Sequence, residues 1–150
     1  MAVAQDLSGT LNELIQTCID GQNGFDTAAR AIDDASLKSE LAGYSAQRRD
    51  FAAELKALVA RTGKTPTDSG SVAAALHRGW INLKNAVATN DRHAILAECE
   101  RGEDSAVAEY RKAIAADLPV ELSTVIQRQY AAVQRTHDRI KVLRDSAKAS

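Results

Sequence analysis

The amino-acid sequence predicts an all-α protein, and three observations lead to that prediction. Apolar residues recur every three or four positions through most of the chain, which is the spacing of one helix face. The 150 residues include only two prolines, a residue that interrupts helices. No stretch alternates β-branched and polar residues for long, as a half-buried strand would.

The length and charge of the chain narrow the class of protein. A chain of 150 residues suits one domain, 1–150, with its own core. The net charge is −1, so we expect no binding to nucleic acid or to an anionic membrane. The first ten residues lack a basic region followed by an apolar run, and no segment reaches the roughly 18 apolar residues of a membrane span. The expected location is the cytoplasm.

The first two helices form a predicted hairpin. The first extends over about Asp6 to Asp33 and the second over about Leu37 to Arg61, and each carries a heptad seam. The first seam reads Leu7, Leu11, Leu14, Cys18, Gly21, Phe25, Ala28 and Ile32, and the second reads Leu37, Leu41, Tyr44, Arg48, Phe51, Leu55 and Leu58. Ser36 is the predicted N-cap of the second helix. Because the connection is short, the two helices must run antiparallel.

A loop and a third helix are expected to cross the molecule lengthwise. Residues 62–70 contain Gly63 and Pro66, which end one helix and prevent its continuation. A helix over 71–89 then spans nearly 30 Å at about 1.5 Å per residue. Its apolar face includes Trp80, with His77 three residues earlier. Such a segment is long enough to return the chain to the turn near residue 34.

The last two helices form a second predicted hairpin. Asn90 and Asp91 cap a fourth helix over about Arg92 to Ala116, and Pro119 opens the last helix. The fourth seam reads Leu96, Cys99, Glu103, Ala106, Tyr110 and Ala113, and the last reads Leu122, Ile126, Gln129, Val133, Thr136, His137, Ile140 and Leu143. We expect residues 146–150 to fray. Two hairpins joined by a full-length crossover predict a four-helix bundle with the ferritin-like connection.

Polar residues interrupt all four seams at one height. Counted from the turn near residue 34, Gln22 and Arg48 lie about 12 and 14 residues along their helices, roughly 20 Å. The crossover returns to the same end, so Glu103 lies about 12 residues along the fourth helix. Gln134 and His137 lie about 11 and 8 residues before Asp145. The centre of a four-helix bundle is where cofactor and di-metal sites are built.

One interpretation of this layer is a metal site. A ferritin-like di-metal centre takes a Glu from two helices and Glu-x-x-His from the other two. The corresponding positions here are Gln22, Gln47-x-x-Asp50, Glu103 and Gln134-x-x-His137. Amides replace carboxylates, and Arg48 adds a cation beside the metals. A weaker single-metal site for iron or manganese would use Glu103, His137, Glu100 and Asp50, with Asp20 or Asp26 as further carboxylates.

The other interpretation is structural. Arg48 and Glu103 would form a buried ion pair, because an isolated buried charge costs several kcal/mol. Gln22, Gln47 and Gln134, with Tyr44 or Tyr110, would satisfy the remaining polar atoms. Cys18 and Cys99 lie on apolar seams, where a free cysteine acts as a small hydrophobe. No nucleophile elbow, phosphate loop or Cys-x-x-Cys pattern is present in the sequence.

Four stretches of the chain together resemble a family of uncharacterised bacterial proteins in the ferritin-like superfamily. They are Leu11-Asn12-Glu13-Leu14-Ile15 with Asp20-Gly21, Gln47 to Leu55, Gly70 to Trp80, and Glu98 to Asp104. The resemblance extends from about Leu7 to Asp145. It implies a ferritin-like bundle with a metal-related or stress-related role, and Arg48 and Glu103 match the stretches that carry it.

The function expected from these observations is non-enzymatic. We expect a structural, interaction or stress-associated protein that needs no cofactor and that forms a homo-oligomer or binds a protein partner. The alternative is an iron or manganese protein, or an oxidoreductase, that uses Glu103 and His137 in the bundle centre.

Overall fold

The computed structural model describes residues 2–61 and 79–149, and it describes side chains for residues 9–61 and 79–147. Helices are the only regular secondary structure in these residues. The helices are α1 (Ala2–Ala31), α2 (Ala35–Arg61), α3 (Leu83–Thr89), α4 (Arg92–Ala115) and α5 (Val120–Ala149). The all-α prediction is confirmed over these residues. None of these helices is both long and apolar enough to cross a membrane.

The four long helices pack as two hairpins. Helices α1 and α2 lie side by side, as do α4 and α5, and the hairpins meet mainly where α1 packs on α4. Helices α2 and α5 approach closely at few points. We call these two contacts between hairpins the α1–α4 seam and the α2–α5 seam. Ion pairs along both seams join early residues of one helix to late residues of the other, so neighbouring helices are antiparallel.

The connection between the hairpins runs from one end of the molecule to the other. We call the end of the bundle where α2 ends and α5 begins the loop end, and the opposite end, where α1 and α2 are joined, the turn end. At the loop end, Arg61 of α2 pairs with Glu121 of α5. At the turn end, Ile32 after α1 and Arg92 at the start of α4 line the same small cavity. The chain therefore leaves the first hairpin at the loop end and enters the second at the turn end.

The α1–α2 turn is closed by side chains that satisfy both helix ends. The Asp34 carboxylate accepts a hydrogen bond from the Leu37 backbone N–H at 2.8 Å, and Lys38 Nζ donates to the Ala29 carbonyl at 2.7 Å. The expectation that Ser36 caps α2 is wrong. Because α2 begins at Ala35, Asp34 occupies the position from which a side chain reaches the first free N–H groups.

The prediction of one helix over 71–89 needs correction. Residues 62–78 lie outside the described residues, and with them the predicted loop 62–70 and His77. Residues 79–82 form a turn, so that α3 begins at Leu83. Gly79 has a φ of 106°, in the left-handed region that favours glycine. A Cβ on Gly79 would lie 3.0 Å from the Gly102 Cα. The close approach of the turn to α4 therefore requires a glycine and a break in the helix.

The second hairpin follows the sequence prediction closely at its start. Asp91 caps α4, because its carboxylate accepts from the backbone N–H groups of His93 at 3.0 Å and Ala94 at 3.4 Å. Helix α5 follows directly after Pro119, whose carbonyl accepts from the Ser123 N–H at 2.9 Å. At the other end α5 stays helical through Ala149, beyond Ser146, where the sequence predicts fraying.

The core consists of two apolar clusters with a charged layer between them. The loop-end cluster includes Leu11, Leu14, Cys18, Leu55, Tyr110 and Ile126, all almost fully buried. The turn-end cluster includes Phe25, Leu41, Trp80, Leu96, Cys99 and Ile140. Each long helix contributes to both clusters through the heptad seam read from the sequence. The layer that separates them holds Arg48 and Glu103.

Candidate functional site: the buried Arg48–Glu103 centre

Arg48 and Glu103 meet in the middle of the four long helices. Arg48 Nη1 donates to Glu103 Oε1, and Nη2 donates to Oε2, both at 2.6 Å. The side chains are 1% and 0% exposed. This two-pronged geometry matches the planar guanidinium to the planar carboxylate, which makes it one of the stronger hydrogen-bonded ion pairs in proteins. The pair joins α2 of one hairpin to α4 of the other.

The helices around the pair are shaped to admit the arginine. At Gly21 of α1 a Cβ would lie only 3.2 Å from both Cγ and Nη1 of Arg48, so a larger residue there would press on the side chain. The guanidinium also lies 5.5 Å from the centre of the Phe25 ring, a distance at which a cation is attracted to an aromatic ring. Arg48 Nε donates to Gln47 Oε1 at 3.3 Å.

Each charge of the pair is balanced by the other. Burial lowers the pKa of Arg48, but the attraction of and hydrogen bonds to Glu103 outweigh burial and hold that pKa above its ordinary value. Within the described residues, every buried side-chain nitrogen or oxygen atom has a hydrogen-bond partner. Neither the Arg48 nor the Glu103 charge is therefore left unpaired, which is the condition for a stable buried ion pair.

The structure brings together only part of the polar layer expected from the sequence. Gln47 joins the pair, but Gln134 is half-buried at the edge of α5, where it accepts from Tyr130 and donates to Asp138. At Gln22 the backbone carbonyl accepts from Ser45 Oγ at 2.8 Å. The expected helpers Tyr44 and Tyr110 bond elsewhere, Tyr44 to Glu40 and Tyr110 within the loop-end cluster.

The four candidate metal ligands have separate partners. Glu103 gives both oxygens to Arg48, Glu100 pairs with Arg144, and His137 bonds Asp104 at 2.6 Å and Asp138 at 3.2 Å. Asp50 is exposed and pairs with Arg49. In the part of the chain that the structure describes, no three His, Cys, Asp or Glu side chains converge to hold a metal ion. These residues do not fit the iron or manganese centre of a ferritin-like protein, because a guanidinium takes the central carboxylate.

Beside the centre, Trp80 forms a wedge between two helices that the apolar spacing does not predict. Trp80, 3% exposed, lies between α1 and α4, against Gly24 of the first and Gly102 of the second. A Cβ on Gly24 would lie 2.5 Å from the indole, and one on Gly102 only 2.1 Å away, so both helices need glycine there. The indole meets Phe25 edge-on with centroids 5.3 Å apart. The turn is also tied to α4, since Glu98 accepts from the Asn82 N–H at 3.1 Å.

A second polar feature, the Tyr110 chain, runs through the loop-end cluster from the buried Cys18, Tyr110 and Gln129 to the half-buried Glu54. The Cys18 thiol lies 3.1 Å from the Tyr110 hydroxyl, which donates to Gln129 Oε1 at 2.6 Å. Gln129 Nε2 then donates to Glu54 Oε1 at 2.8 Å. Burial raises the pKa of Cys18 to about 11, although the Tyr110 bond acts in the opposite direction. Burial also holds the pKa of Tyr110 well above its usual range.

Both missed features left signals in the sequence. Gly24, Gly79 and Gly102 lie near Trp80 in the fold, and Gly79 directly precedes it, which is unusual for the interior of a predicted helix. For the Tyr110 chain the signal was Gln129 on an apolar seam, because a buried amide requires partners. Neither the glycines nor Gln129 indicates from the sequence which residue it contacts, because the contacting residues lie on other helices or in the turn before α3.

Similarity to a known protein family covers most of the chain. No curated protein shows significant similarity to the chain. A family model described as "Domain of unknown function (DUF2383)" matches residues 6–116. The match covers both Arg48 and Glu103 and ends at Ala116, just after α4, whereas the resemblance seen in the sequence extends to about Asp145. Since the matched region is well over half of the 150 residues, the chain belongs to this family, the DUF2383 domain proteins.

Proposed function

We propose that this protein is a ferritin-like four-helix bundle whose centre is a structural ion pair. In this proposal it works in the cytoplasm as a structural, interaction or stress-associated protein, without catalysing a reaction, and it self-associates or binds a protein partner. One observation carries the proposal. The carboxylate at the centre of the four long helices, Glu103, has both oxygens bonded to the Arg48 guanidinium.

The course of the chain supports the ferritin-like assignment. Neighbouring long helices are antiparallel, and the connection between the hairpins runs from the loop end to the turn end. In a bundle with three short loops the second hairpin would begin at the loop end instead. A long crossover between two hairpins is the connection found in ferritin-like folds.

The buried glutamates of α4 support a non-catalytic role. Glu98, Glu100 and Glu103 are each buried, and each is paired with an arginine: Arg101, Arg144 and Arg48. An active-site acid or base must be free to exchange a proton with substrate. Here the carboxylates instead join helix to helix or helix to turn, which is what a scaffold requires.

Exposed apolar residues offer contact area for a partner. Ile81, Val120 and Val142 are 53%, 82% and 55% exposed. Val120 begins α5 at the loop end, while Ile81 lies in the turn after Trp80. Single apolar residues on a surface are common, so the proposal relies on them only as support.

The alternative function, an iron or manganese protein using Glu103 and His137, is tested by metal analysis. Protein purified without a histidine tag is measured for bound metal, then titrated with Fe(II) and Mn(II) by calorimetry. We expect far less than one metal per chain and no saturable binding. Stoichiometric metal that is lost in Glu103→Ala but kept in Glu121→Ala, an exposed control, would overturn the proposal.

Self-association is tested separately by light scattering. We expect the purified chain to form a dimer or larger assembly, or a defined complex with a protein partner. A Val120→Glu variant, with Val142→Glu as a matched change elsewhere on α5, would show which apolar residue the contact uses. A strict monomer that forms no complex would contradict the interaction role while leaving the result on metal unaffected.

A further inference from the structure

Oppositely charged side chains cross the α2–α5 seam near both of its ends and between them. Among the side chains that the structure describes, three pairs cross it: Glu40–Arg139 at 2.8 Å toward the turn end, Glu54–Arg128 in the loop-end half, and Arg61–Glu121 at 2.7 Å at the loop end. The arginines are 49%, 56% and 67% exposed. Backbones of α2 and α5 come close at few points, so these long side chains bridge the remaining space.

Pairs of this kind respond to ionic strength. Exposed ion pairs are weak individually and are screened by salt, since the Debye length shrinks from about 10 Å at 0.1 M to about 3 Å at 1 M. The α1–α4 seam responds differently, because Trp80 and apolar side chains close it. Salt should therefore loosen one contact between the hairpins and leave the other in place.

Glu54 connects the surface of the α2–α5 seam to the interior. Its Oε2 pairs with Arg128, while its Oε1 accepts from Gln129 of the Tyr110 chain. Gln129 also donates to the Phe51 carbonyl of α2 at 3.4 Å. When α2 and α5 separate, Gln129 loses both of its partners on α2. Tyr110 and Cys18 lie directly behind Gln129.

We infer that the α2–α5 seam is a salt-sensitive latch whose opening at Glu54 releases the Tyr110 chain and exposes Cys18. The turn-end cluster, with Cys99 and Trp80, stays closed during this motion because the α1–α4 seam holds it. The two buried cysteines, one in each cluster, thus report on the two halves of the core separately. The latch operates in a single chain and is independent of self-association.

The test measures thiol alkylation of the unmodified protein. Native protein is treated with iodoacetamide at low salt and at about 1 M NaCl, and peptide mapping by mass spectrometry gives the rate at each cysteine. Glutathione in the same buffers corrects for the effect of salt on the reagent. Since screening weakens three pairs together, we expect the Cys18 rate to rise about fivefold and the Cys99 rate less than about twofold.

Two charge-neutralising variants locate the effect. Glu54→Gln removes the charge of the latch but keeps an amide oxygen for Gln129, so Cys18 should react faster at low salt and depend less on salt. Glu13→Gln is the matched control, because Glu13 forms an exposed pair with Lys112 across the α1–α4 seam. Equal salt responses of Cys18 and Cys99, or equal Cys18 rates in Glu54→Gln and the unchanged protein, would overturn the latch.

Discussion

Along the α1–α4 seam the hairpins meet through the indole of Trp80 and apolar side chains, whereas along the α2–α5 seam they meet through Arg–Glu pairs. The first contact is stabilised by burial, which salt does not screen, and requires glycine at Gly24 and Gly102. The second depends on charge, which salt screens. Two interfaces between the same hairpins can therefore differ in both strength and response to conditions.

The largest effect is expected at the centre, where the Arg48–Glu103 pair joins the hairpins between the seams. Glu103→Ala leaves the Arg48 guanidinium buried without its carboxylate, so the free energy of unfolding should fall by about 3–5 kcal/mol. Urea denaturation followed by circular dichroism measures the change. A loss below about 1 kcal/mol would mean that water or another acid reaches Arg48.

The control replaces the whole pair with apolar residues. Arg48→Met combined with Glu103→Leu leaves no unpaired charge and should retain or increase stability. If the pair specifies how the hairpins align, this double variant should form a mixture of assemblies, visible by light scattering. An unchanged, uniform assembly would show that the other contacts between the hairpins set the alignment without the pair.

The next largest effect tests the α1–α4 seam. Gly102→Ala places a Cβ within 2.1 Å of the Trp80 indole, so overpacking should cost about 1–3 kcal/mol of unfolding free energy. Gly43→Ala is the matched control, because no atom lies within 4 Å of its added Cβ, and it should stabilise α2 by about 0.5–1 kcal/mol. Combining Gly102→Ala with Trp80→Ala should cost less than the sum of the two changes.

A smaller effect is expected within the second hairpin, at His137. Burial lowers the pKa of His137, but its bonds to Asp138 and Asp104 outweigh burial and raise the pKa above the ordinary value of 6.5. The charged ring therefore contributes stability that is complete below pH 6.5 and is lost as the pH rises through the folded pKa. We expect under about 1 kcal/mol, because both aspartates are exposed. Urea denaturation between pH 5 and pH 9 should show this loss, and His137→Gln should remove it.

The smallest effect is expected in the α2–α5 seam, where the stability should depend on salt. Arg61→Gln removes one exposed pair, with Glu121, and should lower the free energy of unfolding by about 0.2–1 kcal/mol at low salt and by almost nothing at about 1 M. Thermal denaturation at the two salt concentrations measures the difference. An undiminished cost at high salt would indicate that the Arg61 stem contributes by packing instead.

The predictable parts of the molecule follow from regular helical geometry. The sequence predicts that Arg48 and Glu103 lie at one height, because the rise per residue is constant and the loops set the direction of each helix. His137 and Gln134 share that height but lie at the edge of α5, because small differences in helix rotation decide which side chains reach the centre. The sequence also overextended the crossover helix through Gly79 and Trp80, since the apolar spacing there is helical.

The sequence by itself determined the helical class, the heptad seams and the charged interruption at Arg48 and Glu103, because these depend on spacing along one chain. Only the tertiary structure decided the close contacts: the indole of Trp80 between two glycines, the Tyr110 chain, and the charged α2–α5 seam. Each depends on atoms from two or three helices meeting within a few ångströms, and periodicity carries no information at that scale. Arg48 depends on both, because the spacing of the sequence places it at the centre, and only the packing of the helices brings both oxygens of Glu103 within hydrogen-bond distance of it.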